Sequence, residues 1–212
     1  MDVDCGQLFS DRDWLSEDVL HPLWELNGQF LQRLLKCVPP EQPSLTLACT
    51  LRRQLITLKA PTRERLARGP LLLDAGFADK QRWMRALENR GRTAQDDSTP
   101  APPPWLPRED AVLLSRSTGL LAWHVVRSHP ELAEWLLGIS PPCATFFTAL
   151  GLAELQELSE RYCDWLRPRW EDHPDVWHVL IEFVRRTEDL PPWVVTLRTL
   201  QLFAGQHGSA AR

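Results

Sequence analysis

The sequence has no long hydrophobic run and little excess of charge of either sign. No apolar stretch approaches the roughly 18 residues of a membrane-spanning helix, and the acidic first residues lack the apolar segment of a secretory signal. The net charge of −4 means that a nucleic-acid role would need a local basic patch or a basic partner. These features predict a cytoplasmic protein without membrane insertion.

Motifs of the common enzyme classes are also missing. There is no glycine-rich phosphate-binding loop, no HExxH and no GxSxG. The acidic pairs Asp96–Asp97 and Glu171–Asp172 have no evident catalytic partner, and no nucleophile or carboxylate is placed to complete a triad with His124. We therefore predict no enzyme activity, no catalytic residue, no cofactor and no small-molecule substrate.

Cysteines are few, odd in number and never spaced as CxxC. The five are Cys5, Cys37, Cys49, Cys143 and Cys163. A disulfide framework is not expected in a chain of this length and cytosolic character. The gaps between the last two cysteines, His173 and His178 match no familiar zinc-ligand spacing, so no metal site is predicted.

The residues that are present predict helices throughout the chain. Apolar side chains recur at steps of three and four, which places them on one face of a helix. The stripes comprise Leu23, Leu26, Phe30, Leu31, Leu34 and Leu35; Leu47, Leu51, Leu55 and Leu58; Trp83, Met84 and Leu87; and Leu113, Ser117, Leu120, Leu121 and His124. The apolar triplet 71–73 is interpreted as a buried crossing segment. The expected fold is all-α, a bundle of roughly eight helices.

A change of composition divides the chain into two halves. Residues 91–107, GRTAQDDSTPAPPPWLP, contain few apolar groups and cannot bury enough surface to offset their ordering entropy. We predict an N-terminal helical lobe at 1–90, a flexible Pro-rich linker at 91–107, a C-terminal helical lobe at 108–205 and a disordered tail at 206–212.

Prolines and glycines indicate where helices begin and end. The pairs His21–Pro22, His129–Pro130 and His173–Pro174 are predicted to mark helix entrances, because proline is favoured in the first turn. Pro130 opens a short helix that Gly138 closes. Ser140 is predicted to cap the next helix, which begins at Pro141 and runs to about Leu150. This arrangement of short helix, turn and helix is similar to a helix-turn-helix.

Tryptophan and arginine concentrate in residues 163–180, CDWLRPRWEDHPDVWHVL. One interpretation is a helix–corner–helix in which tryptophans fill the corner and the arginines reach solvent, Glu171 or Asp172. The other is a partner surface, because tryptophan and arginine are enriched at interface hot spots. Trp177 shares a stripe with later apolar residues and is expected inside. The candidate partner-contact residues are Trp165, Arg167, Arg169 and Trp170.

The stretch 120–160 resembles the conserved part of the FlhD subunit of the bacterial flagellar transcriptional activator. The matching features are Leu121-Ala122, Leu137-Gly138-Ile139-Ser140, Ala149-Leu150-x-Leu152, Leu155 and Leu158. Pro141-Pro142 and the tryptophans depart from the family pattern. The resemblance implies a shared helical framework and a regulatory subunit that acts by protein–protein contact.

Partners are expected to be another protein or a second copy of the chain. The helix PPCATFFTAL has no Arg, Lys, Asn or Gln to reach base edges, so DNA is expected to be bound weakly or through a partner. The alternative is a helical accessory or adaptor protein of a multiprotein assembly such as a secretion apparatus.

Overall fold

A computed structural model describes residues 17–36, 46–88, 106–171 and 173–186, and this part of the chain is predominantly helical. The prediction of an all-α fold is confirmed. The helices of the described ranges are α1 (Glu17–Lys36), α2 (Thr46–Thr57), α3 (Ala60–Ala67), α4 (Lys80–Glu88), α5 (Arg108–Ser128), α6 (Pro130–Leu132), α7 (Pro141–Ala149), α8 (Leu152–Arg161) and α9 (Pro174–Arg186). A π-helical turn at Ala133–Leu137 continues α6, and a 3-10 turn at Cys163–Trp165 follows α8.

Two very short strands join distant parts of the chain. Strand β1 (Leu73–Asp74) pairs antiparallel with β2 (Arg167–Pro168), and Leu73 lies opposite Pro168. The triplet 71–73 is fully buried, as expected, and its last residue begins β1. The backbone N–H of Arg169 extends the pairing by donating to Leu72 O at 2.8 Å.

Both halves of the described chain contribute to one hydrophobic core. Helix α1 packs against α3 and α5, α3 also packs against α9, and α4 packs against α7. The predicted lobes therefore share their interior. Their limits remain a sequence prediction, since residues 91–105 of the predicted linker and the predicted tail at 206–212 lie outside the described residues.

The predicted stripe of α1 forms the centre of this core. Leu23, Leu26, Phe30, Leu31 and Leu34 are buried, and Leu35 is half-buried. Burying such side chains stabilises the fold by about 25 cal/mol for each Å² of apolar surface removed from water. The periodicity alone was therefore sufficient to predict which face of α1 is inside.

Asn27 lies within the buried face of α1 and is fully buried. Its side-chain N–H groups donate to the carbonyl oxygens of Ala67 (2.9 Å), Gly69 (3.3 Å) and Pro70 (2.9 Å). Its Oδ1 accepts from Leu72 N–H at 2.8 Å. One side chain thus satisfies the backbone that leaves α3, where no regular helix or sheet partner is present.

The predicted inner face of α5 is wrong. Of its five residues only Leu121 is buried; Leu113 and Leu120 are 51% and 39% exposed, and His124 is exposed. The buried face instead combines Leu114, Val125 and Val126 with small side chains that let α8 approach closely. A Cβ at Gly119 would lie 2.5 Å from Ser159 Oγ and 3.4 Å from Leu155 Cδ1. Small residues at this crossing replace the large ones on which the prediction relied.

Two of the three proline entrances are confirmed. Pro130 and Pro174 are the first residues of α6 and α9, whereas Pro22 lies inside α1. The helix begins at Glu17, so the missing N–H of Pro22 removes only one bond near its start.

In α4 the prediction for Met84 is wrong. Met84 is 40% exposed, and Ala86 lies with Trp83 on the buried face.

Candidate interaction surfaces

Trp165, the first candidate contact residue, packs at the junction between α4 and the 3-10 turn. Its ring centroid lies 4.2 Å from that of Tyr162 and 5.3 Å from that of Trp83. The guanidinium carbon of Arg82 lies 3.8 Å from the Trp165 centroid, within cation–π range. Trp165 is consequently half-buried and holds together two segments of the same chain.

Arg169 is not left to solvent, contrary to expectation. Its Nη1 donates to the carbonyl oxygens of Leu71 (3.3 Å) and Leu136 (3.2 Å). Burial away from water lowers the pKa of the guanidinium to about 10, and the nearby Asp74 carboxylate opposes that shift. Arg169 remains charged at neutral pH and joins the segment before β1 to the π-helical turn.

Gly138 makes room for this guanidinium. It has φ +74°, in the left-handed region that favours glycine, and a Cβ there would lie 2.5 Å from Arg169 Nη2. The π-helical turn before it directs the Leu136 carbonyl out of the helix, where it also accepts from Leu71 N–H at 2.8 Å. Residues 120–160, called here the resemblance segment, therefore meet the tryptophan-rich corner of residues 163–180 at Gly138.

Arg167 and Trp170 complete the corner. Arg167 Nε lies 3.9 Å from Glu171 Oε2, which agrees with one predicted partner, and burial lowers the pKa of Arg167. Trp170 is half-buried with φ +63°, and its ring centroid lies 5.9 Å from that of Trp177. Asp172 lies outside the described residues.

The corner is therefore an internal junction built from both halves of the chain. Trp177 is fully buried, as predicted, and its Nε1 donates to Arg169 O at 2.7 Å. All four candidate contact residues take part in contacts within the chain. A partner role for them remains a prediction, and the more exposed surfaces lie elsewhere.

The helix-turn-helix-like layout is present, and Ser140 occupies the N-cap position of its second helix, as predicted, but its side chain makes no capping hydrogen bond. Ser140 precedes Pro141 at the start of α7, yet its hydroxyl donates to Ala78 O at 3.2 Å. Within α7, Thr145 and Thr148 donate to the carbonyls of Pro141 (3.1 Å) and Ala144 (2.9 Å). These hydroxyls are engaged within their own helix, so α7 offers little polar chemistry to a nucleic acid.

Large apolar side chains are exposed on the resemblance segment. Among the described residues, Leu120, Trp135 and Leu152 are 39%, 56% and 47% exposed. An exposed tryptophan presents a large apolar area at low entropic cost, which is typical of contact residues. Leu113, two helical turns before Leu120 on the same face of α5, is also exposed.

A second open surface is the α1–α3 groove, a shallow groove that runs along the outer side of α1. Its α1 wall carries Trp24, Glu25, Gly28 and Leu31, and its α3 wall includes Glu64. Apart from Gly28 itself, its chain neighbours and the backbone of α1, no described atom lies within 4 Å of the position that a Cβ on Gly28 would take. The sequence analysis placed Leu31 in the apolar stripe of α1 but did not predict the groove, although a glycine in the centre of a helical stripe was a usable signal.

Around the α1–α3 groove, the arginines have contacts within the described chain and the glutamates do not. Arg63 Nη1 donates to Leu58 O at 2.6 Å, and the guanidinium carbon of Arg68 lies 6.0 Å from the Trp24 ring centroid. The side chains of Glu25 and Glu64 make no hydrogen bond or ion pair within the described ranges. Trp24 Nε1 is buried and likewise has no acceptor there.

Cys143 and Cys163 are buried thiols. Burial raises the pKa of Cys143 to about 12 and also raises that of Cys163. Both therefore stay protonated and weakly nucleophilic at neutral pH. No group of three or more His, Cys, Asp or Glu side chains in the described part is arranged to hold a metal ion.

Comparisons with family models, curated proteins and solved structures find no match for this chain. None of the helices in the described ranges has both the length and the apolar content that a membrane span requires.

Proposed function

We propose that this chain is a non-enzymatic protein of the bacterial cytoplasm that acts by protein–protein contact, as a regulatory subunit similar to the flagellar activator family. The observation that carries the proposal is the exposure of Leu120, Trp135 and Leu152 within the segment that resembles that family. Apolar residues that a helical framework leaves outside its core are available to bind a partner.

The proposed regulatory role is that of a protein-contacting subunit rather than a direct reader of DNA. Sequence readout in the major groove uses Arg, Lys, Asn or Gln side chains that reach base edges. Helix α7 has none of these, and the hydroxyls of Thr145 and Thr148 donate within the helix. Any contact with DNA would therefore be made mainly by a partner.

The second candidate is a helical accessory protein of a multiprotein assembly such as a secretion apparatus. It is supported by further exposed apolar side chains outside the resemblance segment, namely Ile56 on α2, Met84 on α4 and Val179 on α9. A component of an assembly can contact neighbours on more than one side, and exposed apolar side chains on three separate helices are available for such contacts.

Replacing Leu120, Trp135 and Leu152 together by serine should abolish partner binding with little effect on folding. Exposed substitutions usually change stability by less than about 0.5 kcal/mol each, so the melting temperature should fall by roughly 5 °C or less. Wild-type protein, expressed in the host from its own gene with an affinity tag, identifies the partner by mass spectrometry. Binding of each purified variant to that partner is then measured by calorimetry.

The matched control replaces Ile56, Met84 and Val179 by serine. Under the regulatory proposal the control binds like the wild type, and deletion of the gene changes transcript levels. Loss of binding in the control alone, together with a failed assembly and unchanged transcripts, would favour the accessory protein. Undiminished binding by the first variant would refute the proposed contact surface.

The isolated protein should bind duplex DNA weakly and with a shallow dependence on salt. With a net charge of −4 it can neutralise few phosphates, so few counterions are released. Between about 50 and 200 mM salt the affinity should change by less than roughly tenfold. Fluorescence anisotropy with a labelled random-sequence duplex measures this. Tight and sequence-specific binding at physiological salt would contradict the prediction.

A further inference from the structure

We infer that the basic surface formed by Arg53, Lys59, Arg185 and Arg186, called here the α2–α9 surface, binds a short acidic segment of a partner protein. This surface includes none of the residues that carry the proposed contact surface on α5–α8. The inference therefore goes beyond the proposed function and is tested separately from it.

The end of α9 lies against the end of α2 and brings the four basic side chains together. Arg185 Nη2 donates to Thr57 Oγ1 at 2.8 Å. Arg53 lies one turn before Thr57 on the same face of α2, and Lys59 follows two residues after Thr57. Arg186 is the neighbour of Arg185 and the last residue of α9. Thr57 and Arg185 are 128 residues apart in the sequence, so the fold is what creates this surface.

The region around the α2–α9 surface is basic, although the chain as a whole is acidic. Residues 52–68 and 182–189 contain eight of the 24 Lys and Arg residues of the chain and four of its 28 Asp and Glu residues. Of these four, Glu182 lies 2.8 Å from Arg185 Nη1, Glu64 lines the α1–α3 groove, and the other two lie outside the described residues. The charges of this region therefore do not cancel.

Two half-buried arginines of the same region are used by the fold itself. Arg63 Nη1 donates to Leu58 O at 2.6 Å, beside the end of α2. Arg65 Nη2 donates to Val184 O at 3.2 Å, in the last turn of α9. Carbonyl groups at the C-terminal end of a helix lack a partner within the helix, and these two arginines supply donors to them. The structural need for positive charge at these helix ends is thus met without the four residues of the α2–α9 surface.

The charges of the α2–α9 surface are accessible to a partner. Arg53 and Lys59 are exposed and make no hydrogen bond or ion pair within the described ranges. The Arg186 side chain is 80% exposed and lies 3.7 Å from Glu182, the carboxylate that Arg185 also contacts. One carboxylate among four basic side chains leaves an excess of positive charge, which attracts an acidic partner and repels a basic one.

The distribution of charge over the whole chain favours a short acidic segment over a long polyanion. Outside residues 52–68 and 182–189 the chain has 16 basic and 24 acidic residues. Duplex DNA or an anionic membrane extends well beyond the four basic side chains and would meet this acidic remainder. A segment with a few Asp or Glu residues ends within the surface, and its carboxylates can pair with arginine through two parallel hydrogen bonds.

The test selects peptides from a phage-displayed library of short random sequences on the whole protein at physiological salt. Selected peptides should contain an excess of Asp and Glu. In fluorescence anisotropy the double variant Arg53→Glu with Lys59→Glu should bind them at least about tenfold more weakly than the wild type, because each reversal removes an attraction and adds a repulsion.

The matched control is Arg85→Glu with Arg108→Glu, which changes the net charge equally at exposed positions on α4 and α5. It should bind the selected peptides within about twofold of the wild type, because salt screens charges that lie beyond the contact. A charge-retaining exchange, Arg53→Lys with Lys59→Arg, should also bind like the wild type. All of these side chains are exposed, so each variant should melt within about 5 °C of the wild type by circular dichroism.

The inference is overturned if no peptide is selected, if the selected peptides have no acidic excess, or if the charge-reversed variant binds them undiminished. Equal losses in the control or in the charge-retaining exchange would overturn it as well. Displacement of the peptides by an equal concentration of a random-sequence duplex would make a nucleic acid the occupant. A wild-type dimer in sedimentation equilibrium that the charge-reversed variant dissociates would make it a second copy of the chain, and either result also refutes the inference.

Discussion

Replacing Trp177 by alanine should lower the free energy of unfolding by about 3–5 kcal/mol, the range found for large buried aromatic residues. Trp177 is fully buried, and its ring centroid lies 6.5 Å from that of Phe30 on α1. The substitution also removes the indole N–H that donates to Arg169 O at 2.7 Å. Urea unfolding followed by circular dichroism measures the loss.

Replacing Trp170 by alanine provides the comparison for Trp177→Ala. The sequence interpretation of Trp170 as an exposed contact residue predicts that its removal leaves the melting temperature nearly unchanged. Its packing against Trp177 and Arg169 instead leads us to expect a loss of about 1–3 kcal/mol for Trp170→Ala. Trp170→Gly should lower the free energy of unfolding by no more than Trp170→Ala does, because glycine relieves the strain of φ +63°.

A loss below roughly 1 kcal/mol for Trp177→Ala would show that the corner is not part of the core.

Asn27→Ala should destabilise the fold by about 3–4 kcal/mol, because it leaves several buried backbone groups without a partner. The Leu72 N–H loses its acceptor, and the carbonyls of Ala67 and Pro70 lose donors at 2.9 Å. Gln32→Ala is the matched control, since Gln32 is an exposed amide on the same helix, and it should change stability by less than about 0.5 kcal/mol.

The same unfolding measurement distinguishes hydrogen bonding from packing at this position. Asn27→Leu keeps the branched shape and the number of side-chain heavy atoms but restores none of the hydrogen bonds, so it should be nearly as destabilising as Asn27→Ala. Recovery of stability in the leucine variant would mean that volume matters here and that the amide bonds contribute little.

Local signals predicted the helices well, because the residues that begin and end a helix act on their own neighbours. Pro130, Gly138 and Pro141 each set a boundary within a few residues, and the structure places α6, the π-helical turn and α7 accordingly. The apolar stripe of α1 succeeded for a related reason, since its large side chains dominate the buried area.

Contacts between distant residues were not predictable in this way. The buried face of α5 contains Leu114 and Val125 beside small residues such as Gly119, which meets Ser159 on α8. The exposed Leu113 and Leu120 form a second apolar face on the same helix, so the sequence pattern did not distinguish the inner face from the outer one. The internal contacts of Arg169 and Asn27 were not predicted, because their acceptors are backbone carbonyls far away in sequence. Backbone carbonyls are the same in every residue, so the sequence gives no indication of which ones a side chain will reach.

The junction at Arg169 also affects the order of folding. Arg169 and its acceptor Leu71 are 98 residues apart along the chain, so the junction closes a long loop. Contacts of such separation require the loop to close, at a cost in entropy, before they stabilise the fold. Helices α5, α6, α7 and α8 lie within the loop, and α5 packs on each of the other three across shorter separations. The junction is therefore expected to form after the folding transition state. Weakening it would accelerate unfolding and leave the refolding rate almost unchanged.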